Sequence, residues 1–83
     1  MMSKSFPSLD TVAPWDQKVT EYDEAHFVLY TWLLDAVAGR RTEDEMCRIL
    51  FKREPCERTR LILRSHVKRA QWMSQHGYRQ LLK

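Results

Sequence analysis

The sequence predicts an all-α fold: a bundle of three to four helices with a long third helix and a flexible N-terminal arm. Apolar residues recur with the period of a helix, and no stretch alternates with the two-residue period of a strand. Signals for helix starts and stops recur along the chain. The chain has 83 residues, enough for one domain with a small core.

The arm is predicted over residues 1–19, and the domain over residues 20–83. The arm contains Pro7, Pro14 and three serines, and its apolar residues follow no steady period. Some of those apolar residues can attach part of the arm to the domain. They are Phe6, Leu9, Val12 and Trp15.

The first helix is predicted over residues 21–38. Thr20 suits the N-cap, acidic residues follow it in the first turn, and Gly39 ends the helix. Apolar side chains occupy nearly every face, which is typical of a helix at the centre of its domain. We therefore interpret His26 as a core histidine whose hydrogen bonds are satisfied.

Two further helices follow. The second, over residues 43–51, opens with a Thr42–Glu45 capping box and a strongly acidic first turn. The third, over residues 55–76, starts near Pro55, because proline suits a first helical turn. A short C-terminal turn is expected over residues 78–82.

The third helix has three distinct faces at about 100° per residue. One face is suited to packing, and it comprises Ile62, Leu63, His66, Val67, Ala70 and Met73. A second face is basic, with Arg60, Arg64 and Lys68 spaced four residues apart. A third strip is formed by Leu61, Ser65 and Trp72. With this strip, the surface of the helix that is available for packing is wider than a small core requires.

Charge is unevenly distributed. Residues 1–47 carry four basic and nine acidic residues, for a net charge of −5, and residues 48–83 carry ten basic and two acidic residues, for +8. Such asymmetry is typical of nucleic-acid binding, of an acidic partner, or of pairing between the two halves.

The composition makes several classes of protein unfavourable. Cys47 and Cys56 have no metal-like spacing, and we expect reduced thiols, no metal and no cofactor. The sequence has no secretory signal and no apolar run long enough for a membrane span, so we expect a cytoplasmic protein without membrane contact. It also lacks a nucleophile elbow and a glycine-rich phosphate loop. We expect neither catalysis nor a small-molecule substrate.

A short second helix followed by a long basic third helix also describes a helix-turn-helix module. The candidate DNA-binding residues are Arg53, Arg58, Arg60, Arg64 and Lys68. Arginine suits phosphates and guanine edges. A basic stripe is also common on a solvated helix face, however, and the acids at the start of the second helix would repel a DNA backbone. Both interpretations remain open at this point.

Several motifs resemble a known family. They are Tyr22-Asp23-x-x-His26, Tyr30, Leu33-Leu34-Asp35-Ala36, Ser65-His66-x-x-Arg69-Ala70-x-Trp72-Met73 and Gly77-Tyr78-Arg79-x-Leu81-Leu82. The chain resembles, over roughly residues 20–82, an extended-turn helix-turn-helix domain, formerly a domain of unknown function. The domain occurs in regulators of integrative and conjugative element transfer.

The resemblance implies two functions. Some members are transcriptional activators of element excision and transfer that join this domain to a preceding domain and bind DNA. Others are single-domain antiactivators that bind the activator's N-terminal domain. We expect the second function, since 83 residues leave no room for a preceding domain. The expected partners are transfer activators, with a quorum-sensing activator among the candidates. DNA is a partner only if the chain is instead a helix-turn-helix regulator.

The partner surface is expected on aromatic and apolar residues away from the basic stripe, because aromatic residues are common interface anchors. The candidates are Trp15, Tyr22, Leu61, Trp72 and Tyr78. For Tyr22 and Tyr78, an ordinary core contact is the favoured interpretation.

Overall fold

The computed structural model describes residues 12–77, which form a small all-helical bundle. Its helices are α1 (Glu21–Ala25), α2 (Phe27–Ala38), α3 (Glu43–Phe51) and α4 (Glu57–Trp72), and a π-helical turn (Met73–Gly77) follows α4. Within these residues there is no strand, so the predicted all-α class is confirmed. None of the described helices is long and apolar enough to cross a membrane.

The first predicted helix is divided in two at His26. The His26 backbone lies outside the helical region, at φ −109° and ψ 17°. Its imidazole Nδ1 donates to the carbonyl of Tyr22 at 2.7 Å, and its ring stacks on the Tyr22 ring with centroids 3.8 Å apart. A side-chain donor inserted beside the helical hydrogen bonds is a recognised cause of such a break. His26 itself is buried and hydrogen-bonded, as predicted.

The C-terminus of α2 closes in a way that the sequence did not indicate. The amide of Arg40 donates to Val37 and the amide of Arg41 donates to Ala36, which is a Schellman motif. Its left-handed position is occupied by Arg40, at φ 62°, while Gly39 has a φ of −81°. The predicted glycine stop therefore lies one residue before the left-handed position.

Both predicted N-terminal caps are present. The hydroxyls of Thr20 and Thr42 accept from the amides of Asp23 and Glu45, whose carboxylates accept from the cap amides in return. At α4, by contrast, Cys56 is the N-cap and the helix begins after it, so Pro55 lies before the helix instead of in its first turn.

The core lies where α2 and α3 pack on α4. The packing face predicted for α4 is buried, apart from Val67, which is half-buried. α2 buries Leu29, Tyr30 and Leu33 but leaves Val28 67% exposed, so it is not surrounded on all sides as its sequence suggested.

Residues 12–19 have no regular structure but lie against α4. The Ala13 amide donates to the Ser65 hydroxyl at 2.9 Å, and the Ala13 side chain is buried. Val12 and Trp15, the apolar residues expected to attach this part of the arm, are 52% and 79% exposed. This part of the arm is therefore held by hydrogen bonds of its backbone and by the buried side chain of Ala13. The rest of the predicted arm and the predicted turn at residues 78–82 lie outside the described residues.

Candidate partner-binding site

A buried ion pair between α1 and α4 organises this side of the molecule. The Arg69 Nε donates to Asp23 Oδ1 at 2.9 Å, and Nη2 donates to Asp23 Oδ2 at 2.6 Å. Both side chains are almost completely inaccessible to solvent. Because the planar guanidinium donates two hydrogen bonds to the carboxylate, each charge is matched by the other, and the pair is compatible with burial.

Asp23 accepts further hydrogen bonds. The Tyr30 hydroxyl donates to it at 2.8 Å, and the Thr20 amide donates at 2.9 Å. Burial alone would raise the pKa of Asp23, but the hydrogen bonds from Arg69, Thr20 and Tyr30 outweigh it and lower the pKa to about 2. The carboxylate is therefore ionised in the folded protein near neutral pH.

Arg69 also binds the arm. Its Nη1 donates to the carbonyl of Asp16, and its Nη2 donates to the carbonyl of Lys18 at 2.9 Å. Its guanidinium lies 4.0 Å from the centroid of the Trp72 ring, within cation–π range. One buried side chain thus joins α1, the arm and an aromatic residue of α4.

An open pocket of about 350 Å³ lies where the arm passes this part of α4. It is lined by Trp15, Asp16, Gln17, Arg69, Trp72 and His76. The His76 ring, carried by the π-helical turn, lies 6.0 Å from the Trp72 ring between centroids. π-helical turns often occur at functional sites because they redirect side chains.

Four of the five predicted partner-binding residues lie within the described part of the chain, and they fall into three groups. Trp15 and Trp72 line this pocket together, and Trp15 is the more exposed. Leu61 is 58% exposed on α4 but does not line the pocket. Tyr22 is half-buried and hydrogen-bonded in the core, so it does not form an exposed anchor. Tyr78 lies outside the described residues.

Tyr22 belongs to a second buried polar group. Its hydroxyl donates to Nε2 of His66, whose Nδ1 donates to the carbonyl of Ile62 at 2.8 Å. The acceptor role of Ile62 requires the proton on Nδ1, and the acceptor role of Nε2 requires that this nitrogen carry no proton, which is the neutral form of the ring. Burial lowers the pKa of His66, a hydrogen bond to Ile62 partly opposes this, and His26 nearby lowers it further.

We expect the protein to lose stability as the pH falls below about 6.5, the pKa of an unperturbed histidine. Because the pKa of His66 is lowered in the folded state, the unfolded state binds a proton at a pH where the folded state does not. Unfolding therefore becomes more favourable as the pH falls. Urea unfolding at about pH 7 and about pH 5 measures this. The difference in the free energy of unfolding between the two pH values should be smaller in His66→Gln and unchanged in the exposed control His76→Gln. An equal pH dependence in the unaltered protein and both variants would contradict the assignment of this effect to His66.

The basic stripe on α4 is paired with the acids that open α3. Arg64 binds both carboxylate oxygens of Glu43, with Nη2 at 2.9 Å from Oε1, and Arg60 Nε donates to Asp44 Oδ1 at 3.1 Å. Arg64 lowers the pKa of Glu43, and Glu43 raises the pKa of Arg64. Two of the five candidate DNA-binding residues therefore carry bound carboxylates.

The other three candidates are separated along the surface. Arg53 lies in the α3–α4 connection, Arg58 in the first turn of α4, and Lys68 about three turns further along the helix; all three are exposed. With Arg60 and Arg64 ion-paired between them, the cations do not form an uninterrupted positive face.

The two cysteines differ. Cys47 is buried, and burial raises the pKa of its thiol. Cys56 is exposed at the N-cap of α4, where hydrogen bonds from the amide and hydroxyl of Thr59 lower the pKa of its thiol. Among the described residues, no group of three or more histidine, cysteine or acidic side chains is arranged to hold a metal.

We expect iodoacetamide to alkylate Cys56 well before Cys47 in the folded protein. Cys56 combines exposure with a lowered pKa, whereas the thiol of Cys47 is shielded and more weakly acidic. Mass spectrometry over time should show one rapid addition and a second only after unfolding. In Cys56→Ser the rapid addition should disappear; rapid labelling of that variant would contradict the expectation.

The sequence interpretation missed the role of Arg69, which it named only as part of a motif. The signal available was its place in the Ser65-His66-x-x-Arg69-Ala70 motif, together with Asp23 and Tyr30 in the other quoted motifs. In the structure these motif residues form the buried polar groups and hold the arm. Their main role is thus structural, and the accessible surface beside them is formed by the exposed Trp15 and the half-buried Trp72. No family model, no curated protein and no solved structure matches the chain significantly.

Proposed function

We propose that this chain is a cytoplasmic antiactivator that binds a transcriptional activator of conjugative-element transfer through the pocket between Trp15 and Trp72. The observation that carries the proposal is the pairing of Glu43 with Arg64 and of Asp44 with Arg60. A surface that already supplies carboxylates to its arginines has less to offer a phosphate backbone, whose binding depends on available cations. This favours a protein partner over DNA.

The pocket has the features of a protein interface. Trp15 is 79% exposed, which is unusual for so large an apolar side chain, and Trp72 lines the same pocket. Large aromatic residues beside polar rims commonly supply most of the affinity of an interface. The resemblance to single-domain antiactivators supports the kind of partner: the N-terminal domain of a transfer activator, including one that responds to quorum sensing.

In this mechanism the chain acts by occupancy. It covers the surface through which the activator would contact its own copy of a similar domain, and it adds no contact that recruits transcription. Because the arm is held by Arg69 and Ser65, Trp15 is presented without the entropy cost of ordering a free segment. Neither catalysis nor a cofactor is required.

Co-purification with tagged N-terminal domains of candidate activators tests the proposal. We expect retention of at least one, and Trp15→Ala should weaken that complex about tenfold or more, since truncation of a central aromatic anchor has effects of this size. Ile49→Ala is the matched control, because Ile49 is an exposed apolar residue on a different helix, α3. Retention of no activator, or equal weakening by both substitutions, would count against the proposal.

The alternative function is a helix-turn-helix regulator that binds DNA through α4. It is favoured by the exposure of Arg53, Arg58 and Lys68. DNA affinity that falls steeply with salt and disappears in Arg60→Glu or Arg64→Glu would establish this alternative and displace the antiactivator proposal.

A further inference from the structure

A second concave surface lies on the opposite side of α4 from the arm. It is a groove of about 290 Å³ between α2, α3 and α4. Its apolar wall is formed by Val37, Met46, Leu63 and Val67. Leu63 and Met46 are buried, while Val37 is 38% exposed and Val67 is half-buried. The groove thus presents apolar surface that no described part of the chain covers.

The rim of the groove is polar and carries one net positive charge. Glu43, Arg64 and Lys68 line it. Both oxygens of Glu43 accept hydrogen bonds from Arg64, so that acid and that base largely offset each other, and the charge of Lys68 remains.

We propose that this groove is a docking site for an amphipathic helical segment of a partner protein, one that inserts an apolar side chain and places an acidic residue one turn away. The apolar wall favours the inserted side chain because its burial removes apolar surface from water. The charge of Lys68 at the rim favours an acidic neighbour, and charge complementarity of this kind contributes chiefly to specificity. The site is separate from the Trp15–Trp72 pocket, so the inference does not depend on the antiactivator proposal.

The test uses the full chain labelled with ¹⁵N and two synthetic peptides of about 15 residues, long enough to form a helix. Both are alanine-based with one leucine; one carries a glutamate four positions after it, and its twin carries a lysine there. We expect saturable NMR shifts centred on Val37, Met46 and Val67. The glutamate peptide should bind at least about threefold more tightly than its twin, since a like charge at this rim is unfavourable.

A charge exchange separates this proposal from non-specific attraction. Lys68→Glu should reverse the preference in favour of the lysine peptide. Arg53→Glu changes the charge by the same amount in the α3–α4 connection, and it should leave the preference unaltered. Circular dichroism of both variants confirms that they are folded.

Four results would overturn the inference. The first is the absence of saturable shifts, and the second is shifts centred on Trp15 and Trp72. The third is a concentration-dependent change at the groove without peptide, which would assign it to a second copy of this chain. An unchanged preference in Lys68→Glu would likewise exclude the proposed role of the rim.

Discussion

Arg69→Ala is expected to destabilise the protein by about 3–5 kcal/mol, because it leaves the buried carboxylate of Asp23 without its cation. Domains of this size have a total stability of roughly 5–15 kcal/mol, so the variant should be close to unfolded. The substitution also removes the hydrogen bonds to the carbonyls of Asp16 and Lys18, so residues 12–19 lose an attachment to α4. Urea unfolding followed by circular dichroism measures the loss.

Arg64→Ala is the matched control. It removes an arginine from the same helix and breaks an ion pair, but the pair with Glu43 is exposed, and exposed pairs contribute little to stability. If the two variants were equally stable, the buried pair would not have the importance assigned to it.

A double-mutant cycle tests whether Asp23 and Arg69 act together. The variant with both Asp23→Ala and Arg69→Ala should be less destabilised than the sum of the single substitutions, because neither charge is then left alone in the core. The lowered pKa of Asp23 predicts a related acid transition. Stability from this group is present above about pH 4 and is lost as the pH falls toward the folded value of about 2.

The combined substitution Glu43→Gln and Asp44→Asn is expected to raise affinity for a short DNA duplex on the order of 10- to 100-fold at low salt. In the folded protein these two acids hold Arg64 and Arg60. Once the acids are neutral, both guanidinium groups are available to phosphates, and the dependence of log affinity on log salt should steepen by about two. Fluorescence anisotropy at several salt concentrations measures both quantities.

Glu21→Gln with Glu24→Gln makes the same change in net charge in the first turn of α1 and is the control. It should alter DNA affinity much less, since those acids are not bonded to the α4 arginines. Equal effects from the two pairs would show that only net charge matters. Strong binding by the unaltered protein, abolished by Arg60→Glu, would instead favour the helix-turn-helix alternative.

Helix caps and packing faces were predictable because they depend on residues a few positions apart. The Thr42–Glu45 capping box needs only four consecutive residues, and the packing face of α4 follows from its periodicity. The all-α class follows from the same local signals. The break at His26 was missed, because it depends on a ring orientation that sets a donor against the Tyr22 carbonyl.

The sequence by itself therefore determined the all-α class, the capped starts of α1 and α3, and the side of α4 that packs. Only the tertiary structure decided that Arg69 is buried on Asp23, 46 residues away, and that Arg64 is neutralised by Glu43, 21 residues away. Those pairings require the axes and rotation of whole helices to be established first. A basic residue on a helical wheel has the same position whether it meets water, a phosphate or a buried carboxylate, and only packing distinguishes these environments.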